Sequence, residues 1–177
     1  MNSVIETVGG QYFNLLYPCP STIDLGGMAH ALSHLCRFTG HTSSFYSVAQ
    51  HSFMASLVVP EEFAREALLH DAQEAYIGDV SSPLKRLLPS YSDIESGIEG
   101  AIAGKFGLAW TPEARLAVKH ADLVMLATER RDLFSNPMGD EWACLAHISP
   151  LDMAVVPMTP ENARRAFLGR AKELGLN

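Results

Sequence analysis

The stretch "LLHDAQEAYIGDVSSPLK" (Leu68 to Lys85) decides how the rest of the sequence is interpreted. Its apolar spacing predicts the second half of a helix over Glu61–Ile77, followed by a turn. The stretch carries four clustered titratable side chains: His70, Asp71, Glu74 and Asp79. A helix that buries an apolar face rarely carries so many titratable groups, so this segment is a candidate functional site.

Two further segments supply inward-facing polar residues. Asp122 has apolar neighbours at i−4, i+3 and i+4, and no obvious cationic partner lies one turn away on that side. Burying a lone carboxylate is costly, so Asp122 would need a cation, a metal or a proton. His51 is flanked by apolar residues in the same way. Both side chains are therefore predicted to point inward.

Together, His51, His70, Asp71 and Asp122 form a ligand set that suits Mn²⁺, Co²⁺, Fe²⁺ or Zn²⁺. Neighbours on an α-helix diverge by about 100°, so His70 and Asp71 would reach one metal only if it lies beside the helix. The spacing leaves another interpretation open. Inward-facing histidines are often hydrogen-bonded core residues, and a His-Asp pair also occurs by chance.

The composition predicts a single domain over residues 1–177, with 47% hydrophobic and 19% charged residues. The net charge of −7 argues against binding to a nucleic-acid polymer or an anionic membrane, but it does not exclude a small anionic ligand. The three cysteines are odd in number and far apart, which predicts buried thiols in a reducing compartment: Cys19, Cys36 and Cys144.

The opening stretch "MNSVIETVGG" lacks a basic region followed by an apolar one, so we expect no signal peptide. No apolar run reaches the length needed to span a bilayer. These features predict a cytoplasmic protein.

The remaining pattern predicts an N-terminal hairpin and about six helices. In "VIETVGGQYFNLL", Gly9 and Gly10 can both take positive φ in a tight turn. The segments "RFTGHTSSF" and "SNPMGDEW" are predicted loops, and Thr111 is a predicted N-cap followed by Pro112. The predicted helices are Ile23–Arg37, Tyr46–Val58, Glu61–Ile77, Tyr91–Phe106, one after Thr111, and one from the second Thr-Pro-Glu to Gly175.

The segments "SVAQHS", "LLHDAQEAYIGDVSSPLK" and "VKHADLVMLATE" resemble the H…HD…D signature of the HD-domain phosphohydrolases. The closer similarity is to the small HD-domain 5′-deoxynucleotidases. The segments "CRFTGH…FYSVAQHS" and "ADLVMLATERRD" resemble prophage-borne members of that branch. The resemblance covers nearly the whole chain and implies an all-α HD-domain helical bundle with a small N-terminal β-hairpin.

The resemblance also implies roles for individual residues. One divalent metal (Mn, Co, Zn or Fe) would be bound by His51, His70, Asp71 and Asp122. Glu74 would be the acid/base, and Asp79 would position the sugar or an active-site water. The substrate would be contacted by Arg37, Phe38, Asp79 and Lys85. Phe38 stands where the family often has Trp, so it lacks an indole N–H donor.

The expected function is metal-dependent hydrolysis of deoxyribonucleoside 5′-monophosphates to nucleoside and phosphate. One alternative is a dATP-type triphosphohydrolase that releases triphosphate. Another is a catalytically silent nucleotide-sensing or protein-binding module. Relatives of this branch suggest a homodimer or a larger homo-oligomer. The roles of three further residues stay open. For His41 and Tyr46 the alternatives are a pocket wall and, as the simpler interpretation, a solvent-exposed loop. For Glu129 the alternatives are support of a metal ligand and, as the simpler interpretation, an ordinary salt bridge.

Overall fold

The computed structural model describes residues 3–136 and 142–177. Within these residues the chain forms eight α-helices and one two-stranded antiparallel sheet, which confirms the predicted helical protein with a small hairpin. Most of the predicted "SNPMGDEW" loop falls on residues 137–141, outside the described residues. None of the described helices combines the length and the apolar character needed to cross a membrane.

The elements follow one another along the chain in a simple order. The two strands are β1 (Val4–Glu6) and β2 (Tyr12–Asn14). The α-helices are α1 (Leu25–His34), α2 (Val48–Val58), α3 (Ala64–Leu68), α4 (Glu74–Ile77), α5 (Ser82–Lys85), α6 (Pro89–Phe106), α7 (Pro112–Leu133) and α8 (Pro160–Glu173). Short 3₁₀ segments cover Pro20–Thr22, Arg37–Gly40, Glu61–Phe63 and Ala143–Leu145.

The hairpin pairs Ile5 with Phe13 at the centre of its register. Of the two predicted turn glycines, only Gly10 takes positive φ, at 73°, and its N–H donates to the carbonyl of Thr7 at 2.8 Å. The ring of Phe13 stacks on Tyr76 at a centroid distance of 3.8 Å. The hairpin is therefore anchored on α4, directly after the His-Asp segment.

Helix α2 lies at the centre of the molecule, since eight of its eleven residues are buried. Helices α1, α3, α7 and α8 all pack against it. The side-chain hydroxyl of Ser47 caps its start by accepting from the N–H of Gln50 at 3.2 Å. The predicted start at Tyr46 is therefore two residues early, and His51 lies on the first turn of a helix surrounded by protein.

Side-chain caps decide the ends of several other helices. Thr111 and Thr159 accept from the N–H groups of Ala114 and Asn162, at 3.2 and 3.3 Å, which confirms the predicted Thr-Pro-Glu starts. Asp24 accepts from the Gly27 N–H at 2.6 Å. Because Asp24 is the N-cap, α1 begins at Leu25 rather than at Ile23.

Two further predictions about the fold are wrong. The helix predicted over Glu61–Ile77 is interrupted, because residues 69–73 form turns between α3 and α4. The predicted burial of the cysteines is also wrong, because the structure exposes all three side chains: Cys19, Cys36 and Cys144. None of the three lies on a described α-helix, so no packed helix face carries them into the core.

Candidate metal centre

The interruption between α3 and α4 explains how adjacent residues face the same point. Helix α3 ends at Leu68, and Leu69 leaves α-helical geometry with φ −109° and ψ 12°. The Nδ1 atom of His70 lies 2.8 Å from the carbonyl oxygen of Ala67, which an unbroken α-helix would pair with the N–H of Asp71. The broken helix therefore lets the imidazole lie back along α3, and His70 Nε2 comes within 3.2 Å of Asp71 Oδ2.

Three possible ligand atoms converge at this point. The Nε2 atom of His51 lies 3.3 Å from Nε2 of His70 and 3.8 Å from Oδ2 of Asp71. Ligand atoms bound tetrahedrally at about 2.0–2.2 Å stand roughly 3.3–3.6 Å apart, close to these separations. Among the described residues, His51, His70 and Asp71 form the group that could hold a metal ion.

The hydrogen bond that each histidine donates from Nδ1 leaves its Nε2 atom facing the centre. Nδ1 of His51 donates to the Glu129 carboxylate at 2.6 Å, and Nδ1 of His70 donates to a backbone carbonyl. A neutral ring with a protonated Nδ1 has a bare lone pair on Nε2. Two lone pairs and a carboxylate oxygen therefore face one another, an arrangement that a bound cation stabilises.

A proton competes with a metal ion for the Nε2 atom of His51. Burial and then Arg37 lower the pKa of His51, but Glu129 and Asp122 outweigh them and bring it to about 9. Burial also opposes ionisation of Asp71, but the two imidazoles and the Arg37 guanidinium hold the pKa of this carboxyl well below its usual range. Asp71 is thus ionised at neutral pH, and metal binding would displace a proton from His51.

Glu129 contacts more of the candidate centre than an ordinary salt bridge would. Its side chain is completely buried, accepts from the hydroxyl of Tyr46 at 2.9 Å, and lies 3.2 Å from Nη2 of Arg37. Burial opposes its ionisation, but Arg37 and then His51 hold the pKa of Glu129 below its usual value. The predicted salt bridge exists, and the same carboxylate also orients a candidate metal ligand. The sequence signal is its position seven residues after Asp122, on the same face of α7.

Asp122 lies at the edge of the centre. Its Oδ1 is 3.4 Å from Nε2 of His51, and its Oδ2 accepts from Lys119 at 2.8 Å. The expectation of no cationic partner is therefore wrong, because Lys119 at i−3 reaches over the helix surface. The side chain is 21% exposed rather than buried. Asp122 is not part of the three-residue group, and its role as fourth ligand stays a prediction.

Glu74 begins α4 with a buried side chain. Burial, followed by the charges of Asp71 and Asp79, raises the pKa of Glu74 well above its usual value. Its Oε2 receives no hydrogen bond from the described residues. Its Oε1 lies 3.7 Å from Nζ of Lys85, which is held more closely by Glu95 at 2.6 Å. Such a carboxyl holds a proton at higher pH than an ordinary glutamate.

The guanidinium of Arg37 contacts the candidate metal centre directly. Its Nη1 lies 3.4 Å from Oδ2 of Asp71, and its side chain is only 9% exposed. The guanidinium lies 5.0 Å above the ring of Phe38, which has left-handed φ of 56°, as Thr39 does at 55°. Non-glycine residues in this region store strain. Contact of Arg37 and Phe38 with substrate stays a prediction, and His41 is exposed at the end of this segment.

Asp79 follows Gly78, whose φ of 79° lets the chain turn sharply at the end of α4. The aspartate is half-buried. Burial raises the pKa of Asp79, and Arg37 partly offsets this effect. The structure therefore keeps Asp79 close to the same group of charges, while its contact with sugar or water stays a prediction.

A cleft of about 330 Å³ opens beside the metal centre, between α6 and α7. Its lining includes His70, Asp71 and Asp122 together with Trp110 and Arg115. Arg115 precedes Asp122 by seven residues, about 10 Å along α7, so Trp110 and Arg115 mark the outer end, away from the metal ligands. Neither Trp110 nor Arg115 was predicted from the sequence to be a site residue. For Arg115 the sequence does carry a signal, because Arg115, Lys119 and Asp122 follow the i, i+4, i+7 spacing of one helix face.

The fold and this site define a helical protein with a candidate His/Asp metal centre. No family model matches the chain. It is 46% identical over 173 residues to the uncharacterized protein YfdR of Escherichia coli K12, covering 97% of this chain and 96% of that relative. It is 30% identical over 182 residues to the uncharacterized protein RCAP_rcc00048 of Rhodobacter capsulatus, covering 92% and 91%. The chain belongs to the family of these two proteins.

Proposed function

We propose that this protein is an HD-domain phosphohydrolase that uses one divalent metal to hydrolyse deoxyribonucleoside 5′-monophosphates to deoxynucleoside and phosphate. The observation that supports this most strongly is the convergence of His51 Nε2, His70 Nε2 and Asp71 Oδ2 beside an open cleft. The order of the H…HD…D segments along the chain supports it independently.

A bound divalent ion would supply an activated water and would neutralise phosphoryl oxygens. The side chains of this protein perform the remaining tasks. His51, His70 and Asp71 hold the ion, with Asp122 as a proposed fourth ligand. Glu129 keeps the proton of His51 on Nδ1, so that Nε2 stays available as a ligand.

Glu74 is the proposed general acid/base. Its raised pKa leaves it protonated where an ordinary glutamate is ionised, so it can give a proton to the leaving oxygen and recover one from water. Proton transfer of this kind contributes about 10²–10⁴-fold to a rate. The neighbouring Lys85 compensates negative charge when Glu74 is ionised.

The substrate phosphate is proposed to lie between the metal centre and the cationic residues of the cleft. Lys85 and Lys119 both line the cleft that opens beside Asp71. Arg37 approaches the centre from the loop after α1 and contacts Asp71 directly. Charged donors of this kind bind phosphate oxygens through short hydrogen bonds. The homo-oligomer and the cytoplasmic location stay predictions.

A product assay tests the proposed function. The protein is stripped of metal, reloaded with Mn²⁺ or Co²⁺, and offered dAMP, AMP and dATP, with Glu74→Ala as the control variant. We expect inorganic phosphate from dAMP, little from AMP, and none from dAMP with Glu74→Ala. Triphosphate from dATP with untouched monophosphates would move the protein to the triphosphohydrolase alternative. Bound metal without turnover of any of the three would contradict the enzymatic proposal.

A further inference from the structure

Two helices contribute charged side chains to the cleft beside the metal centre. Helix α6 supplies Glu95 and Glu99, and helix α7 supplies Arg115 and Lys119. Each pair has i, i+4 spacing, so each follows one helix face. Trp110 lies on the segment that joins the two helices and lines the same cleft. The cleft therefore runs from the metal ligands outward to an aromatic side chain.

Trp110 and Arg115 form a stacked pair at this end. The guanidinium carbon of Arg115 lies 5.4 Å from the centroid of the indole ring. Arg115 is exposed and makes no hydrogen bond or ion pair within residues 3–136 and 142–177. Flat guanidinium and indole surfaces are the groups on which nucleobases stack in proteins. The pair thus offers a planar surface whose polar edges are still available.

The charges of the walls favour a base over a chain of phosphates. Three cations and four carboxylates line the cleft, namely Lys85, Arg115, Lys119, Asp71, Asp122, Glu95 and Glu99. Lys85 is paired with Glu95 and Lys119 with Asp122. A polyphosphate extending outward would meet the carboxylate of Glu99 beside the cation of Arg115, whereas an amino group would find in Glu99 a hydrogen-bond acceptor. No hydrogen bond from the described residues occupies this carboxylate.

We propose that the outer half of the cleft is a nucleobase subsite, in which the base stacks on the Trp110–Arg115 pair and donates from an exocyclic amino group to Glu99. This inference rests on the proposed function, because it places the nucleotide phosphate at the metal centre. It assigns the substrates to nucleotides with amino-bearing bases and makes Trp110, Arg115 and Glu99 the specificity-determining residues.

Tryptophan fluorescence tests the subsite without relying on hydrolysis. The chain has two tryptophans, so Trp142→Phe leaves Trp110 as the single reporter. This variant is titrated with dAMP, deoxyadenosine, 2-deoxyribose 5-phosphate and inorganic phosphate. We expect dAMP and deoxyadenosine to quench the emission of Trp110, and the two compounds without a base to leave it unchanged. Absence of quenching by dAMP, or equal quenching by inorganic phosphate, would overturn the proposal.

Kinetics provide a second measurement on a different variant. Trp110→Ala should weaken dAMP binding about 5- to 150-fold, the effect of losing one base–aromatic stack, and should leave kcat/KM for 2-deoxyribose 5-phosphate unchanged. Glu99→Ala, which removes the acceptor, should reduce the preference for dAMP over dTMP about tenfold. The matched control is Asp93→Asn on an exposed position of the same helix, which should change neither. If Trp110→Ala lowered kcat/KM equally for dAMP and for 2-deoxyribose 5-phosphate, the subsite would be overturned.

The two proposals fail in different ways. Quenching by dAMP in a protein that hydrolyses no phosphate ester would keep the subsite and remove the proposed reaction. Hydrolysis of dAMP without quenching, and with unchanged kinetics in Trp110→Ala, would keep the reaction and remove the subsite.

Discussion

Nδ1 of His51 lies 2.6 Å from Oε1 of Glu129, and both side chains are completely buried. The two residues are 78 positions apart in the chain. This bond selects the tautomer of His51 whose Nε2 can bind a cation, and it links the candidate metal centre to Arg37 and Tyr46.

Glu129→Gln should weaken metal binding about 10- to 100-fold, because residues that orient a ligating histidine contribute that much to affinity. The measurement is a calorimetric titration of the metal-free variant, after circular dichroism has verified its helical content. Glu161→Gln, at an exposed position of α8, is the matched control and should leave the affinity unchanged. An unaltered affinity in Glu129→Gln would mean that the bond from His51 does not support a metal ligand.

Arg37→Met should destabilise the metal-free protein by up to about 3–5 kcal/mol, because it removes one of the two cations beside the buried Glu129 carboxylate and leaves only protonated His51. Urea unfolding measures this change in the free energy of unfolding. The control Arg165→Met removes a pair whose side chains are 71% and 82% exposed, and it should cost at most about 1 kcal/mol. Equal effects of the two variants would contradict the role given to Arg37.

Glu74→Gln should make the metal-free protein more stable than the wild type at pH 8. The pKa of Glu74 is higher in the folded protein than in the unfolded chain. The folded state is therefore favoured when Glu74 is protonated, and this part of the free energy of unfolding is lost as the pH rises from the pKa of the unfolded chain through that of the folded protein. Glutamine has no proton to lose. Urea unfolding at pH 5 and pH 8 should therefore show a variant advantage that grows with pH. An advantage that is constant or shrinks with pH would contradict the raised pKa.

A chelator should lower the Tm of the metal-loaded protein. An ion present at about 100 times its dissociation constant stabilises the fold by about 2.7 kcal/mol, which corresponds to roughly 5–10 °C for a domain of this size. Asp122→Ala should abolish this dependence if Asp122 completes the ligand set, and Asp152→Ala, at an exposed position, should retain it. If the chelator lowers the Tm of Asp122→Ala as much as that of the wild type, the metal ligands are only His51, His70 and Asp71.

Local sequence patterns predicted much of the fold and most members of the site. The Thr-Pro-Glu starts of α7 and α8 are correct because their capping bonds join residues only three positions apart. The hairpin is correct because its turn is equally local. The apolar neighbours of His51 identified a side chain that faces inward, because helical spacing determines which neighbours share a face.

Long-range contacts explain what the sequence could not provide. Nothing near Glu129 indicates that its partners are Arg37, Tyr46 and His51, since these lie on other parts of the chain. The break after Leu68 was missed because residues 69–73 carry no proline or glycine to mark it. That break is the local feature on which the His70–Asp71 geometry depends.

The most direct test of the central claim is calorimetric titration of the metal-free protein with Mn²⁺ and Zn²⁺, in parallel with His70→Ala and the control His120→Ala. His120 lies at an exposed position of α7. The metal centre predicts one ion per chain in the wild type and in His120→Ala, and no measurable binding in His70→Ala. Absence of binding in the wild type, or unchanged binding in His70→Ala, would contradict a metal site built on His51, His70 and Asp71.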